Sequence, residues 1–545
     1  MPHEFSVFAR NGMVVSSQPL ATAAGVQILM NGGNAVDAAV ATAAVLGVVE
    51  PGSIGIGGDA FCLFYSAKDK VLTALDASGR SPQAMNLDFC RRSGFKAMPQ
   101  RGIHSVTIAG AVHGWATLLN SYGSKTLGEV LHSAIRHADE GFPLAELTAA
   151  SWHESETSLK SDEGGSINYL IHGRTPKAGE IFRNPRMAKT LKRIADEGAE
   201  VFYQGEIAEK IVGCSEKLGG LVTLKDLAEH HSDWVAPISS NYRGYDVYEL
   251  PPATQGFVVL EMLEILKGFD LKAMGQGSAE ALHSMIEVKK LAFLDRDLHL
   301  ADRDFMKVSV NDLVCSDRAA ALREQFRADR AKARFEVLSL DRTPSVSPPD
   351  RGRVREGAKH GGTDTEYIAA ADRAGNLVSF IQSNFMGFGS GVVEPETAII
   401  LQNRGHLFSL DVNHPNCIGP RKRCVHTLMP GMILQDGKPY AALGLKGGHV
   451  QPQVQVQIIS NLIDFGMTPQ SAISAPRFNH IEGTKVALEA GFGRDVSNEL
   501  TRRGHQVVAG PPESFGGAHM IAIDPESGAF IGGSDPRKGG CALGL

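Results

Sequence analysis

No two cysteines of this chain stand in a CxxC pair. Its seven, Cys62, Cys90, Cys214, Cys315, Cys417, Cys424 and Cys541, are odd in number and irregular in spacing. That pattern argues against a disulfide scaffold and a zinc module. No run of His, Cys, Asp and Glu has metal-ligand spacing, so neither a metal nor a cofactor is expected. Long apolar runs are lacking too: residues 36–49 are Ala-rich and too short to span a bilayer. Met1-Pro2-His3-Glu4-Phe5 lacks the charged and apolar regions of a signal peptide, so the expected location is cytoplasmic, with no membrane partner. Neither charge sign dominates: 54 basic against 60 acidic residues leave a formal charge of -6. No basic tract is interleaved with aromatics, which argues against nucleic acid as a partner. The short cluster Arg421-Lys422-Arg423 is expected to face solvent or the site. What remains, 43% hydrophobic and 21% charged over 545 residues, describes an ordinary globular chain of large core or several domains.

Glycine is abundant, at 60 residues, and clustered. Helical spacing over 20–31 runs into Gly32-Gly33, a C-cap signal, and Asn34 can cap a second, Ala-rich helix over 35–49. Gly52, Gly55, Gly57 and Gly58 form a tight loop before a strand over 60–65. Helices are expected over 257–266, 279–299, 453–465 and 495–503. Strands are expected over 365–371, 377–383, 396–403, 431–435, 439–444 and 519–523. Residues 338–362, rich in Pro, Gly and Arg, read as an exposed linker ending just before Thr365.

Thr365 opens the most informative segment. Two β-rich runs flank a turn containing Gly375-Asn376, a hairpin signal. With the turn over 372–376, Ala371 pairs with Leu377, and counting outward sets Thr365 opposite Ser383. Directly opposed residues have Cβ atoms about 4.5–5.5 Å apart. Most threonines at strand starts are structural, but a second hydroxyl across from the first suits an N-terminal threonine nucleophile whose own α-amine acts as base.

Motifs at both ends of the chain carry a resemblance. Leu20-Ala21-Thr22-x-Ala24-Gly25, Gly32-Gly33-Asn34-Ala35-Val36-Asp37-Ala38-Ala39, Val49-Glu50-Pro51 and Gly55-Ile56-Gly57-Gly58 resemble the γ-glutamyltranspeptidase family. So do Gly419-Pro420-x-Lys422-Arg423, Gly447-Gly448, Ala475-Pro476-Arg477-Phe478 and Ser534-Asp535-Pro536-Arg537. The resemblance implies an α+β N-terminal-nucleophile hydrolase, a four-layer αββα sandwich. It implies a proenzyme that cuts between Asp364 and Thr365 into a large subunit, 1–364, and a small subunit, 365–545, both contributing to one fold and open to assembly as a dimer of heterodimers. The family nucleophile matches Thr365; Thr363 lies two residues too far from the turn. The family's second hydroxyl matches Ser383, and Gly447 and Gly448 match the glycine pair whose N–H groups form the oxyanion hole.

The departures concern the acyl group. A family asparagine is replaced by Phe385, with Asn384 adjacent. A glutamine and an aspartate become Arg404 and Leu407, and paired serines become His426 and Thr427. Ser78 takes the place of an arginine, with Arg80 two residues on. The stretch Leu410 to Ile418 is shorter than the lid-bearing loop of many relatives. Gaining Arg404 while losing an anion points to a small amide with an acidic acyl group, oxamate-like or glutaryl-like, because Arg pairs bidentately with carboxylates. Arg404 as a solvated rim residue remains an alternative at this level. His426 is either a pocket wall or a satisfied core histidine, and His449 poses the same choice. A γ-glutamyl hydrolase or transferase acting on glutathione-like compounds is the second reading. A phosphate cradle at Gly52–Gly58 is disfavoured, since no helix clearly follows it.

Overall fold

The computed structural model describes residues 5–338 and 363–545, and of Thr363 and Asp364 the backbone alone. The linker expected over 338–362 thus falls, but for its first residue, outside the described residues.

Two seven-stranded antiparallel sheets stack at the centre. One runs, in spatial order, Val7–Ala9, Phe530–Ser534, Gly517–Ile523, Lys438–Lys446, Gly431–Gln435, Tyr245–Glu249 and Ile238–Tyr242. The other runs Cys541–Gly544, Gly12–Ser16, Thr363–Asp372, Leu377–Met386, Asp59–Ser66, Val71–Ala77 and Asp233–Val235. Each sheet takes strands from both sides of the 364/365 junction. Period-two alternation makes the layers: Tyr367, Ala369 and Ala371 point into the apolar seam between the sheets, whereas Ile368 and Ala370 point to a helical layer. That layer is built on Pro19–Met30, Ala35–Val49, Ala111–Tyr122 and Leu127–Glu140. The opposite layer holds Gly256–Leu266, Ala279–His299 and Gln451–Ile463. The result is the expected αββα sandwich.

Local chemistry sets the first helices. Gly32 is left-handed (φ 80), and the Gly33 N–H closes the helix end on the Ile28 carbonyl at 2.9 Å. Asn34 accepts from the N–H groups of Val36 and Asp37, and Asp37 accepts from the Asn34 N–H, a reciprocal cap typically worth about 1 kcal/mol. Ala35–Val49 is buried on every side, which its Ala-rich sequence permits.

The expected strand over 396–403 does not form. Ala398 is left-handed (φ 61), and Glu394 turns the chain by accepting from the N–H and hydroxyl of Thr397. Backbone hydrogen bonds join 390–394 to 399–401 around one isolated bridge, Val393 to Ile400, without a continuous strand, and a 3-10 turn, Arg404–Leu407, follows. The basic cluster also differs from expectation: Arg421 is exposed, but Lys422 and Arg423 are buried, and Arg423 pairs with Asp233 at 2.7 Å. All seven cysteines are free thiols. Among the described residues no helix is long and apolar enough to cross a membrane.

Candidate active site

The hairpin register is as counted from the sequence: Ala371 faces Leu377 and Glu366 faces Gln382. Beyond Glu366 the ladder slips, so that Asp364 faces Phe385 and the single residue Thr365 meets Ser383 and Asn384. Such a bulge re-aims side chains. Thr365 Oγ1 donates to Ser383 Oγ at 3.1 Å, and Ser383 Oγ accepts from the Phe385 N–H at 2.7 Å. Both hydroxyls are buried.

The glycine loop clamps this end of the hairpin. The Gly55 carbonyl accepts from Gln382 Nε2, Pro51 from Asn384 Nδ2 and Ser53 from the Asn384 N–H. A Cβ on Gly58 would lie 2.5 Å from the Ser383 carbonyl oxygen, so the close approach requires glycine. The loop therefore packs a strand end, which accounts for its glycines without a phosphate.

Gly447 and Gly448 follow the strand Lys438–Lys446, both at positive φ (141 and 60), and begin a turn that packs against the start of Thr363–Asp372. Gln255 fixes it by donating to the carbonyls of Gly448 (3.2 Å) and Thr427 (3.0 Å). A cleft of about 930 Å³ opens here, its lining including Glu50, Met386, Lys446, Gly447 and His449.

Behind the hydroxyl pair lies a second group. Arg404 is fully buried, so the rim alternative is overturned. Its guanidinium donates to Thr427 Oγ1 at 3.0 Å and stacks over Phe385 at 4.4 Å, while Nε and Nη2 have no partner among the described residues. Burial lowers its pKa to about 10, against the pull of Asp59. Asp59 faces Ser383 across the neighbouring strand. Its Oδ1 accepts from the N–H groups of Gly79 and Gly110, and Oδ2 lies 3.3 Å from His426 Nε2 without a hydrogen bond closing. Burial, then the Arg404 charge, pushes His426 below its ordinary value, so it is a neutral ring. Both its nitrogens lack hydrogen-bond partners among the described residues, so His426 is not a satisfied core histidine there.

Thr365, Ser383 and Asn384 thus share one hairpin end, with the Gly447-Gly448 turn packed beside it, while Arg404, His426 and Thr427 gather around Asp59. Arg80 is engaged elsewhere, its guanidinium 3.5 Å from Asp233 in a cluster with Arg303 and Arg423. Sequence reasoning missed Asp59 and Gln255. A charged residue heading an otherwise apolar strand was the available signal for Asp59; Gln255 carried none. The fold also gathers one metal-ligand set that spacing did not show: His283, Glu287 and His505 have ligand atoms within 4.8 Å of one another. His283 and His505 already hydrogen-bond at 2.8 Å, and Glu287 is held by Lys290 and the Lys332 N–H.

Comparison with known proteins identifies the family and the fold. The family profile described as Gamma-glutamyltranspeptidase matches residues 21–545. The "Glutathione hydrolase-like YwrD proenzyme" of Bacillus subtilis is 39% identical over 99% of both chains. The "Oxamate amidohydrolase proenzyme" of Klebsiella pneumoniae is 33% identical over 98% of both. A solved cephalosporin acylase from Bacillus halodurans superposes with a TM-score of 0.92 at 40% identity, covering 100% of this chain and 97% of the other.

Proposed function

Because the chain belongs to the γ-glutamyltranspeptidase family of amide-cleaving hydrolases and transferases, we propose that it is a self-processing amidohydrolase whose acyl-enzyme forms on Thr365. The observation that carries this reading is the buried 3.1 Å contact between Thr365 Oγ1 and Ser383 Oγ at the first residue after the expected cut. Cleavage of Asp364–Thr365 frees an α-amine, a group whose ordinary pKa of about 7.7–8.0 leaves it partly neutral at physiological pH. The amine takes the Thr365 hydroxyl proton as the oxygen attacks the amide carbon. The proton passes to the departing amine as the C–N bond breaks, and water then hydrolyses the ester. Ser383 orients the nucleophile. The N–H groups of Gly447 and Gly448 receive the developing oxyanion, a contribution of about 2.7–4 kcal/mol for each such donor.

Arg404 is the residue assigned to an acidic acyl group. Its two unpartnered N–H edges are buried beside the hairpin, where a carboxylate would satisfy them. The size of the cleft leaves the departing amine room to be large. One observation favours the second reading, a γ-glutamyl substrate: Asp59 Oδ2 is a buried oxygen without a hydrogen bond among the described residues, able to accept from a substrate ammonium while Arg404 holds the α-carboxylate. Glutaryl and γ-glutamyl anilides differ by that ammonium and separate the two readings.

Intact-protein mass spectrometry on wild type and Thr365→Ala tests the core of the reading. Two fragments from the wild type, the smaller beginning at Thr365, and one uncut, inactive chain from the variant are expected. A wild type that turns over amides uncut would overturn it.

A further inference from the structure

The sheet end that carries Thr365 and the sheet end that carries Gly447-Gly448 belong to different sheets, so no ladder hydrogen bond sets one against the other. Backbone on both sides is irregular, with a bulge between Asp364 and Glu366 and two positive-φ glycines after Lys446. At this junction, Glu366, the residue after the nucleophile, is fully buried and accepts from Lys446 Nζ, on the residue before the glycine pair. Glu50, at the end of Ala35–Val49, stands 4.0 Å from the same ammonium and accepts from Ser17 Oγ at 3.0 Å.

We propose that the Glu366–Lys446 ion pair is a positioning element for the reaction, fixing the Gly447-Gly448 turn in register with the Thr365 hydroxyl. This rests on the reading of Thr365 as nucleophile. A buried ion pair is a poor way to gain stability, since well-packed apolar residues do as well, but it constrains geometry through a directional contact. Geometry is what an oxyanion hole needs, because its donors must meet the oxygen of the transition state within a few tenths of an ångström. The two carboxyls are shifted in opposite directions. Burial, reinforced by the charge of Glu366, raises Glu50 well above its ordinary range. Against burial, the Lys446 ammonium and hydrogen bonds from Glu50 and Ser17 hold Glu366 below its own. Glu50 is thereby pushed towards its protonated form and Glu366 towards its charged form beside Lys446.

The test is a double-mutant cycle on cleaved enzyme: Glu366→Gln, Lys446→Met and the pair, with Lys446→Arg as the conservative variant and Thr365→Ala in parallel. Rates are taken per cleaved chain, and thermal melting confirms folding. Each single variant should lower kcat at least tenfold with KM within about threefold. The double variant should lose no more than the worse single, and Lys446→Arg should keep most of kcat. Singles within twofold of wild-type kcat, or losses that multiply in the double variant, would overturn the inference. If Thr365→Ala remains active, the nucleophile reading fails instead. If Thr365→Ala is dead while the brace variants turn over normally, the brace alone fails.

Discussion

Two buried charged groups flank the Thr365 hairpin, and they are finished to different degrees. At the strand start, Glu366 accepts from Lys446 Nζ, Glu50 stands 4.0 Å from the same ammonium, and of the three side chains only Glu366 Oε2 lacks a hydrogen bond among the described residues. Beside Ser383, Asp59, His426 and Arg404 are as deeply buried, yet among the described residues Arg404 Nε and Nη2, Asp59 Oδ2 and both His426 nitrogens lack hydrogen bonds. Unpaired buried polar atoms each cost about 1–3 kcal/mol. A fold retains them where something else completes them. The more nearly closed cluster is thus proposed as architecture and the open one as the recognition surface. This difference separates two substitutions that look alike on paper, the removal of one buried cation from each.

Removing Arg404 has the largest expected effect. Arg404→Met should raise KM for glutaryl or oxamyl amides about 100-fold, the equivalent of one charge-assisted pair, and change KM for a neutral acyl amide little. Lys446→Met should instead leave KM and lower kcat. Steady-state kinetics on matched acidic and neutral anilides measures the contrast. Equal KM changes at Arg404 for both substrates would mean that the open cluster is not where the acyl carboxylate sits.

Asp59→Asn comes next. It keeps an acceptor for the N–H groups of Gly79 and Gly110 but removes the negative charge. If the open cluster holds a γ-glutamyl ammonium, kcat/KM for a γ-glutamyl anilide should fall about tenfold, the cost of about one charged hydrogen bond, with the glutaryl anilide unaffected or improved. Parallel losses on both anilides would assign Asp59 to packing.

The two clusters also differ in how far they were legible in the sequence. The hairpin was legible to the residue, because the Gly375-Asn376 turn and period-two counting fix which residues oppose one another, and only the bulge at Thr365 escaped. Helix caps at Gly32 and Asn34 were legible for the same reason: they are local. Arg404 was picked out by a departure from a family pattern, but its burial was not visible, since a 3-10 turn after a failed strand set it. The strand over 396–403 was misread because β-branched composition outweighed a left-handed Ala398 that no local signal announces. Asp59, Gln255 and the Glu366–Lys446 contact stayed hidden because each joins segments hundreds of residues apart or lying in different sheets.

Acidification should act on the closed cluster's edge. His519 faces Glu366, Asp535, Lys446 and Arg477, and burial holds its pKa at about 4. An unfolded chain binds a proton there near pH 6.5 and the folded chain does not, so between pH 6.5 and 4 the unfolded state carries more protons and stability rises with pH. Lowering the pH from 6.5 to 5.5 should cost about 1 kcal/mol through this residue. Melting temperatures across that range measure the slope, which His519→Phe should flatten. An unchanged slope in the variant would place the acid sensitivity at other buried histidines, such as His505, held at about 3.

The smallest expected effect is the sharpest test of the closed cluster. If Glu50 carries the proton, it acts as a donor to Glu366, and an amide can replace it. Glu50→Gln should then change stability by less than about 1 kcal/mol and leave the pH dependence of kcat near that of wild type. Glu50→Ala removes the donor and should cost about 1–3 kcal/mol. Were Glu50 ionised, the amide would strip a charge from the Lys446 ammonium, and Glu50→Gln would destabilise as much as Glu50→Ala. Chemical denaturation of the two variants side by side decides which carboxyl holds the charge. It also decides whether the strand start is neutral by design of its protons or by its ion pair alone.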